Sequence, residues 1–293
     1  MSPARALLRT LRPHQWVKNV FVLAPLVFAR HLLEPAFIWR ALAATLAFCA
    51  LSGAVYAFND VRDVEADRAH PTKRHRPIAA GHLRQHTALV WASVLASAGL
   101  ATCVILSWST GAIALGYLVL QIAYTLGLKQ LAFVDVLVIA AGFLLRVLVG
   151  AHAIAVPASG WVLLCTALLA TFLGLGKRAH ELTWATRAGT GEATRAALAG
   201  YRLPLVRAAM LVLAAATLVA YVAYTRDPHT ITFFATDRLV LSAPFVGFGL
   251  IRFLTLALWR PRQDSPTEAM LRDGPFLLNL VAAAAVILYV LYQ

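Results

Sequence analysis

The sequence predicts an all-α, polytopic membrane protein of nine transmembrane helices, and three observations carry that reading. Of the 293 residues, 60% are hydrophobic and only 13% are charged, roughly half the charge of an ordinary soluble chain. Apolar runs of the roughly 17 to 25 residues that cross hydrocarbon recur along the whole length. Lysines and arginines gather in alternate connecting segments, the asymmetry that sets topology in membranes. The net charge of +13 does not point to nucleic acid, because the basic residues stand at the ends of apolar runs. Membrane lipid and anionic substrates are the better partners. Cys49, Cys103 and Cys165 all lie inside apolar runs without CxxC spacing, so they read as small packing residues.

Residues 1–16 form a basic amphipathic segment. Leu7, Leu8 and Leu11 take one side, Arg5, Arg9 and Arg12 another, and Trp16 marks the interface. This is not a secretory signal, since the apolar run after it lacks a small-residue cleavage site and further spans follow. The first span is expected at 17–33, interrupted by Pro25, with Lys18 and Asn19 at its mouth. The second, at 37–58, leads into an acidic cluster. Spans three and four fall at 88–106 and 109–126, and a short GLKQ turn at 127–130 leads into the fifth, 131–153. The sixth, 160–175, ends in GLGKRAHEL; the seventh, eighth and ninth fall at 204–224, 239–258 and 276–292. Polar loops at about 59–87, 176–203 and 259–275 lie on one side with the N-terminus. That side holds all but six of the 26 basic residues and is therefore cytoplasmic. Nothing reads as a linker, so residues 1–293 are expected to form a single integral membrane domain.

The stretch 56–81, YAFNDVRDVEADRAHPTKRHRPIAAG, concentrates the chemistry. Asp60, Asp63, Glu65 and Asp67 bring four of the 13 acidic residues into eight positions. At helical spacing Asn59, Asp60, Asp63 and Asp67 line one side of a helix. Carboxylates that close repel one another unless a cation stands between them. Magnesium suits such a row, because it prefers hard oxygens and often takes one or two carboxylates together with a substrate's phosphates. Lys73, Arg74 and Arg76 follow and are suited to the outer phosphate oxygens.

Asp135 and Arg146 lie in the fifth span, where charge is expensive. They stand three turns apart, on one face but out of mutual reach. Either each finds a partner on another helix, or Arg146 reaches an anionic substrate while Asp135 orders the cytoplasmic mouth. Lys177, Arg178 and Glu181 follow the sixth span, where Lys177 and Glu181 have the spacing of a helical pair. Lys18, Arg146 and Lys177, extended by Lys129, would make a cationic floor opposite the metal. No zinc set accompanies the nine histidines, and no nucleophile elbow, Walker loop or dinucleotide fingerprint is present. The segment SPTEAMLRD at 265–273 reads as a helix start or a lid.

NDxxDxxxD at Asn59, Asp60, Asp63 and Asp67 resembles the first aspartate-rich motif of the UbiA superfamily of intramembrane prenyltransferases. The resemblance implies nine helices around a central cavity that opens to the cytoplasm and to lipid, and a Mg2+ cofactor. It also implies a second acidic motif after the sixth span, where this chain has GKRAHE at 176–181. RPHQWVKN at 12–19, the segment 59–81, LKQLAFVDVLVIAAGFLLRVLVGAHA at 128–153 and GKRAHEL together are similar to one branch. That branch moves 5-phosphoribose from phosphoribosyl diphosphate to decaprenyl or another polyprenyl phosphate, at the bacterial cytoplasmic membrane, in cell-wall precursor synthesis. On that resemblance Asn59, Asp60, Asp63 and Asp67 hold metal, and Asp60, Asp63, Asn59 and Lys18 carry the catalytic work. Lys73, Arg74, Arg76, Arg146 and Lys129 meet the donor's phosphates, Lys18, Lys177 and Arg178 the acceptor's, and Asp135 and Glu181 support them. Two other readings stay open: prenyl transfer to an aromatic acceptor, and transport of an anionic lipid or nucleotide.

Overall fold

The computed structural model describes residues 2–187, 196–259 and 266–293, and the secondary structure of these residues is helical throughout. Contacts divide the chain into two compact units, Met1–Leu126 with Leu145–Ala158, and Gly127–Leu144 with Ser159–Gln293. In chain order the first unit begins with α1 (Pro3–Thr10), a 3-10 helix over Pro13–Leu23 and α2 (Ala24–Phe28). It continues through α3 (Pro35–Arg62), α4 (Val64–Ala69), α5 (Gln85–Leu106) and α6 (Trp108–Leu126). Helix α7 (Val134–Ala153) gives its first part to the second unit and its last turns to the first. The second unit adds α8 (Gly160–Arg187), α9 (Leu203–Arg226), α10 (Pro228–Phe234), α11 (Ala243–Leu254), α12 (Pro266–Met270) and α13 (Gly274–Tyr292).

Among the described residues, eight helical stretches are long and apolar enough to cross a membrane, not nine. The difference is the expected first span at 17–33. There the 3-10 helix gives way to α2 and then to turns before α3. Pro25 explains the break, since its ring would clash with the Phe21 carbonyl one α-turn earlier. The branched Val17, Val20 and Val22 also lower the α preference of this stretch. In the other direction, α8 runs on to Arg187, so GKRAHEL is helix rather than loop. Exposed apolar side chains such as Ile105, Trp108 and Leu278, each more than two-thirds accessible, suit contact with lipid.

Small residues set the packing of the first unit. Ala44, Ala47, Phe48 and Leu51 of α3 pack with Val22, Cys103, Tyr117 and Val149. A Cβ on Gly99 would come within 2.9 Å of the Ala47 carbonyl, so α5 approaches α3 to backbone contact. Arg40, about two turns before Phe48 and charged, is accommodated by carbonyls that the helices leave over. Its Nε donates to Ala153 O at 2.7 Å and its Nη2 to Leu106 O at 2.8 Å, the final residues of α7 and α5. In the second unit Phe172 stacks obliquely on Phe253 at 5.1 Å, with Leu175, Met210 and Leu250 around them.

Gly150 is the position where this packing is least forgiving, because a Cβ there would collide with the Val22 carbonyl and meet Pro25 Cδ at 3.2 Å. Ordinarily Gly to Ala within a helix is stabilising by about 1 kcal/mol. Gly150→Ala is instead expected to lower stability by about 1–3 kcal/mol, the usual cost of overpacking. Gly116→Ala, with nothing within 4 Å, is the control. Thermal unfolding of both variants in detergent decides the matter, and a Gly150→Ala protein as stable as Gly116→Ala contradicts it.

Candidate active site

The acidic row spans a helix junction. Helix α3 ends at Arg62, Asp63 caps it, and α4 starts at Val64. Helical spacing nevertheless survives, since Asp63 N donates to Asn59 O at 2.9 Å and Asp67 N to Asp63 O at 2.8 Å. Asn59, Asp63 and Asp67 therefore succeed one another by single turns, as the spacing implies. Asn59 Nδ2 donates to Asp63 Oδ2 at 3.0 Å. Asp60 and Asp67 are buried, at 2% and 3% exposure.

Two arginines neutralise that burial. Arg76 Nη1 lies 3.0 Å from Asp60 Oδ1 and 2.6 Å from Asp67 Oδ2, bridging the pair. Arg12 Nη2 takes the same Asp60 oxygen and its guanidinium lies 5.0 Å from the centroid of the Tyr56 ring. Arg12 reaches Asp60 from a left-handed backbone, φ 51°, between α1 and the 3-10 helix. Sequence reasoning counted Arg12 only as part of the basic N-terminal face; its place at the head of RPHQWVKN was the available signal. Arg76, which the sequence set on the donor's phosphates, stands on the carboxylates here. Lys73 and Arg74 are exposed, in the 3-10 turn Lys73–His75. His70 Nδ1 accepts from the backbone N–H of Thr72 and Lys73, at 3.2 and 3.4 Å. Burial, and then the charge of Lys73, lower its pKa, which holds the ring neutral for that role.

Lys18 lies half-buried in the 3-10 helix, next to an anchored neighbour. Asn19 is 1% exposed; its amide donates to Cys49 Sγ and Ser52 Oγ, both at 3.3 Å, and its Oδ1 accepts from Arg146 Nε at 2.9 Å. Arg146 also donates to Tyr117 Oη at 3.0 Å. The structure thus gives Arg146 partners on other elements, the first of the two alternatives, and ties the Lys18 segment to α7.

Asp135 likewise pairs on another helix. Its Oδ2 lies 2.8 Å from Arg178 Nε with both side chains fully buried, and Glu181 holds the Arg178 Nη1. Tyr201 Oη donates to Asp135 Oδ1 at 2.6 Å and accepts from Phe133 N at 2.7 Å. Burial, reinforced by the Asp135 carboxylate, raises the Tyr201 pKa and keeps that phenol a donor. This corrects the acceptor-phosphate assignment of Arg178, whose guanidinium is committed inside the second unit. Glu181, whose spacing suggested Lys177, takes Arg178. Lys177 is exposed and Lys129 half-buried in the turn Leu128–Gln130. Residues 188–195 and 260–265, where parts of the two other polar loops and the start of the possible lid fall, lie outside the described residues.

The carboxylate row was tested as a magnesium site on its donors. Among the described residues no three His, Cys, Asp or Glu side chains converge as a ready-made metal cage. Two do converge on one cationic atom, since Asp60 and Asp67 both reach Arg76 Nη1. Two hard oxygens aimed at a shared positive charge match the sparse protein share of a magnesium site whose other ligands are phosphates and water. The residues fit a metal that arrives with a phosphorylated substrate.

With this geometry in place, the comparison with known proteins is decisive. The profile of the UbiA prenyltransferase family matches residues 20–271. The chain belongs to the UbiA prenyltransferase family. A decaprenyl-phosphate phosphoribosyltransferase of Mycolicibacterium smegmatis is 36% identical over 285 residues, covering 91% of this chain and 86% of that protein. Its counterpart from Mycobacterium tuberculosis is 38% identical over 289 residues, covering 94% and 90%. Among solved structures, a UbiA homolog from Archaeoglobus fulgidus bound to DMAPP and Mg2+ superposes with a TM-score of 0.73 at 16% identity, covering 98% of this chain and 99% of the other. That likeness supports the fold. As a member of this family the chain is a multi-pass membrane protein of the all-α class.

The buried pair yields a test of its own. Asp135→Asn leaves the buried Arg178 with Glu181 as its remaining counter-charge and is expected to destabilise by about 1.5–3 kcal/mol, the scale of a hydrogen bond to a charged group. Asp135→Leu combined with Arg178→Met is expected to recover much of that loss. Melting temperatures of the single and double variants check it; an Asp135→Asn protein that melts with the parent rejects the structural role.

Proposed function

We propose that the protein transfers 5-phosphoribose from phosphoribosyl diphosphate to a decaprenyl or other polyprenyl phosphate, releasing diphosphate. The observation that carries this reading is the 36–38% identity, over nine-tenths of the chain, to proteins named for that activity. The acceptor's phosphate oxygen forms a bond to C1 of the ribose while the bond from C1 to the diphosphate oxygen breaks. The electron pair leaves with diphosphate, and the configuration at C1 inverts. A phosphate acceptor is already ionised at neutral pH, so no side chain has to remove a proton. The absence of a poised His–Asp base from the carboxylate row is consistent with that demand.

When bound, Mg2+ would supply positive charge to the departing diphosphate. Asp60, Asp63 and Asp67, with Asn59 holding Asp63, would orient the metal-bound donor. Arg76 and Arg12, which hold Asp60, would offer further N–H groups to the donor's phosphate oxygens, with Lys73 and Arg74 as additional cations. Lys18, on a segment fixed through Asn19 and Arg146, would place the acceptor phosphate by proximity and charge. Lys177 is the exposed member of the basic pair after the sixth expected span and keeps the same proposed role. The lysine and arginine bias places this face toward the cytoplasm of a bacterial cell, with the N-terminus on the same side.

The decisive experiment supplies labelled phosphoribosyl diphosphate, a polyprenyl phosphate and Mg2+ to the purified protein. Label is expected to enter the organic-extractable lipid with release of diphosphate, and EDTA is expected to abolish the transfer. Asp60→Asn and Asp63→Asn should each remove turnover by at least about a hundredfold, the scale of a lost electrostatic group, while the proteins stay folded in detergent. Lys18→Ala is expected to impair acceptor use more than donor affinity. Absence of labelled lipid with any polyprenyl phosphate defeats the proposal, and near-parent rates in both aspartate variants defeat the metal assignment.

A further inference from the structure

A groove of ≈ 590 Å³ on the first unit lies outside the carboxylate row, lined by Arg5, Leu8, Arg9, Pro13 and His82. Arg5 and Arg9 are exposed one turn apart on α1. His82 faces them from the tight turn in which Gly81 takes φ 75° and His82 N donates to Pro77 O at 2.8 Å. No acidic residue occurs before Glu34 or between Asp67 and Asp135, so the segments that build this groove carry only positive or neutral side chains. Leu8 is 54% exposed in the same groove, and Val17 and Val20 are exposed just beyond it. Guanidinium groups beside an exposed apolar side chain are the composition of a surface that meets phosphate headgroups at the edge of the acyl region.

The other face of α1 is fastened to the segment that carries the acidic row. Ala6 is wholly buried among Val64, Ile78, Leu83 and Ala88, with Leu7 against the same cluster. Leu11 covers Gly53, where a Cβ would meet Leu11 Cδ2 at 3.0 Å. The next residue is Arg12, on Asp60. We propose that this groove binds the phosphate headgroup of an anionic phospholipid, and that the bound lipid holds α1 in the position from which Arg12 reaches Asp60. The occupant is lipid, because the groove joins paired cations to exposed apolar surface, a combination that a free anion does not use.

The test uses the full-length protein in detergent, offered phosphatidylglycerol and phosphatidylcholine in equal amounts, with retained lipid counted by native mass spectrometry. The parent protein is expected to retain phosphatidylglycerol several-fold over phosphatidylcholine. Arg5→Gln combined with Arg9→Gln should abolish that preference, and Arg5→Lys with Arg9→Lys should keep most of it, which separates lost charge from a misfolded helix. Equal retention of both lipids by the parent overturns the proposal whatever the variants do. So does an undiminished preference in the glutamine variant, or displacement of phosphatidylglycerol by inorganic phosphate or by an equimolar polyprenyl phosphate. In nanodiscs, turnover of the parent should rise several-fold from phosphatidylcholine to phosphatidylglycerol while the glutamine variant stays flat. Retention is read without turnover, so it stands or falls apart from the proposed reaction.

Discussion

The burial of Asp60 is the constraint on which the first unit depends. A carboxylate at 2% exposure near the end of an apolar helix is untenable unless its charge is met in place. Arg12 and Arg76 meet it from segments 48 and 16 residues away. That requirement draws the N-terminal strand of chain, the end of α3 and the loop after α4 to one point. The left-handed turn at Arg12, the docking of α1 and the placing of Ile78 and Leu83 all serve the same convergence. A site that holds its own counter-cations is also stable before any metal or substrate reaches it.

Two clusters, one in each unit, meet the cost of buried charge differently. At the acidic row of the first unit Asp60 is shared by two part-exposed arginines, Arg12 and Arg76. In the second, Asp135 and Arg178 are closed off completely and tied further by Tyr201 and Glu181. The first arrangement suits exchange and the second suits permanence. This difference also separates Lys177 from Arg178, adjacent in sequence and opposite in exposure.

Much of this was legible from residues alone. Hydropathy located all the long helices, because a run of apolar side chains has few other destinations. It gave no sign of the break at 17–33, where composition satisfies a span but Pro25 and branched valines prevent a continuous α-helix; hydropathy is blind to backbone geometry. The acidic row was legible from its helical spacing, and that spacing held even through the junction at Asp63. Its partners were not. Arg12 lies 48 positions before Asp60, and no local pattern announces a pairing that distant. Arg178 is the complementary case: its place beside Lys177 in GKRAHEL set it on the acceptor phosphate, and only packing shows that its guanidinium is enclosed.

The two arginines paired with Asp60 and Asp67, Arg12 and Arg76, both lie within the first 76 residues of the sequence. Synthesis proceeds from the N-terminus, so the carboxylates and their arginines leave the ribosome together, before any helix of the second unit exists. The charge of buried Asp60 is therefore met within the nascent segment itself. The α3 helix can enter the membrane with Asp60 already matched.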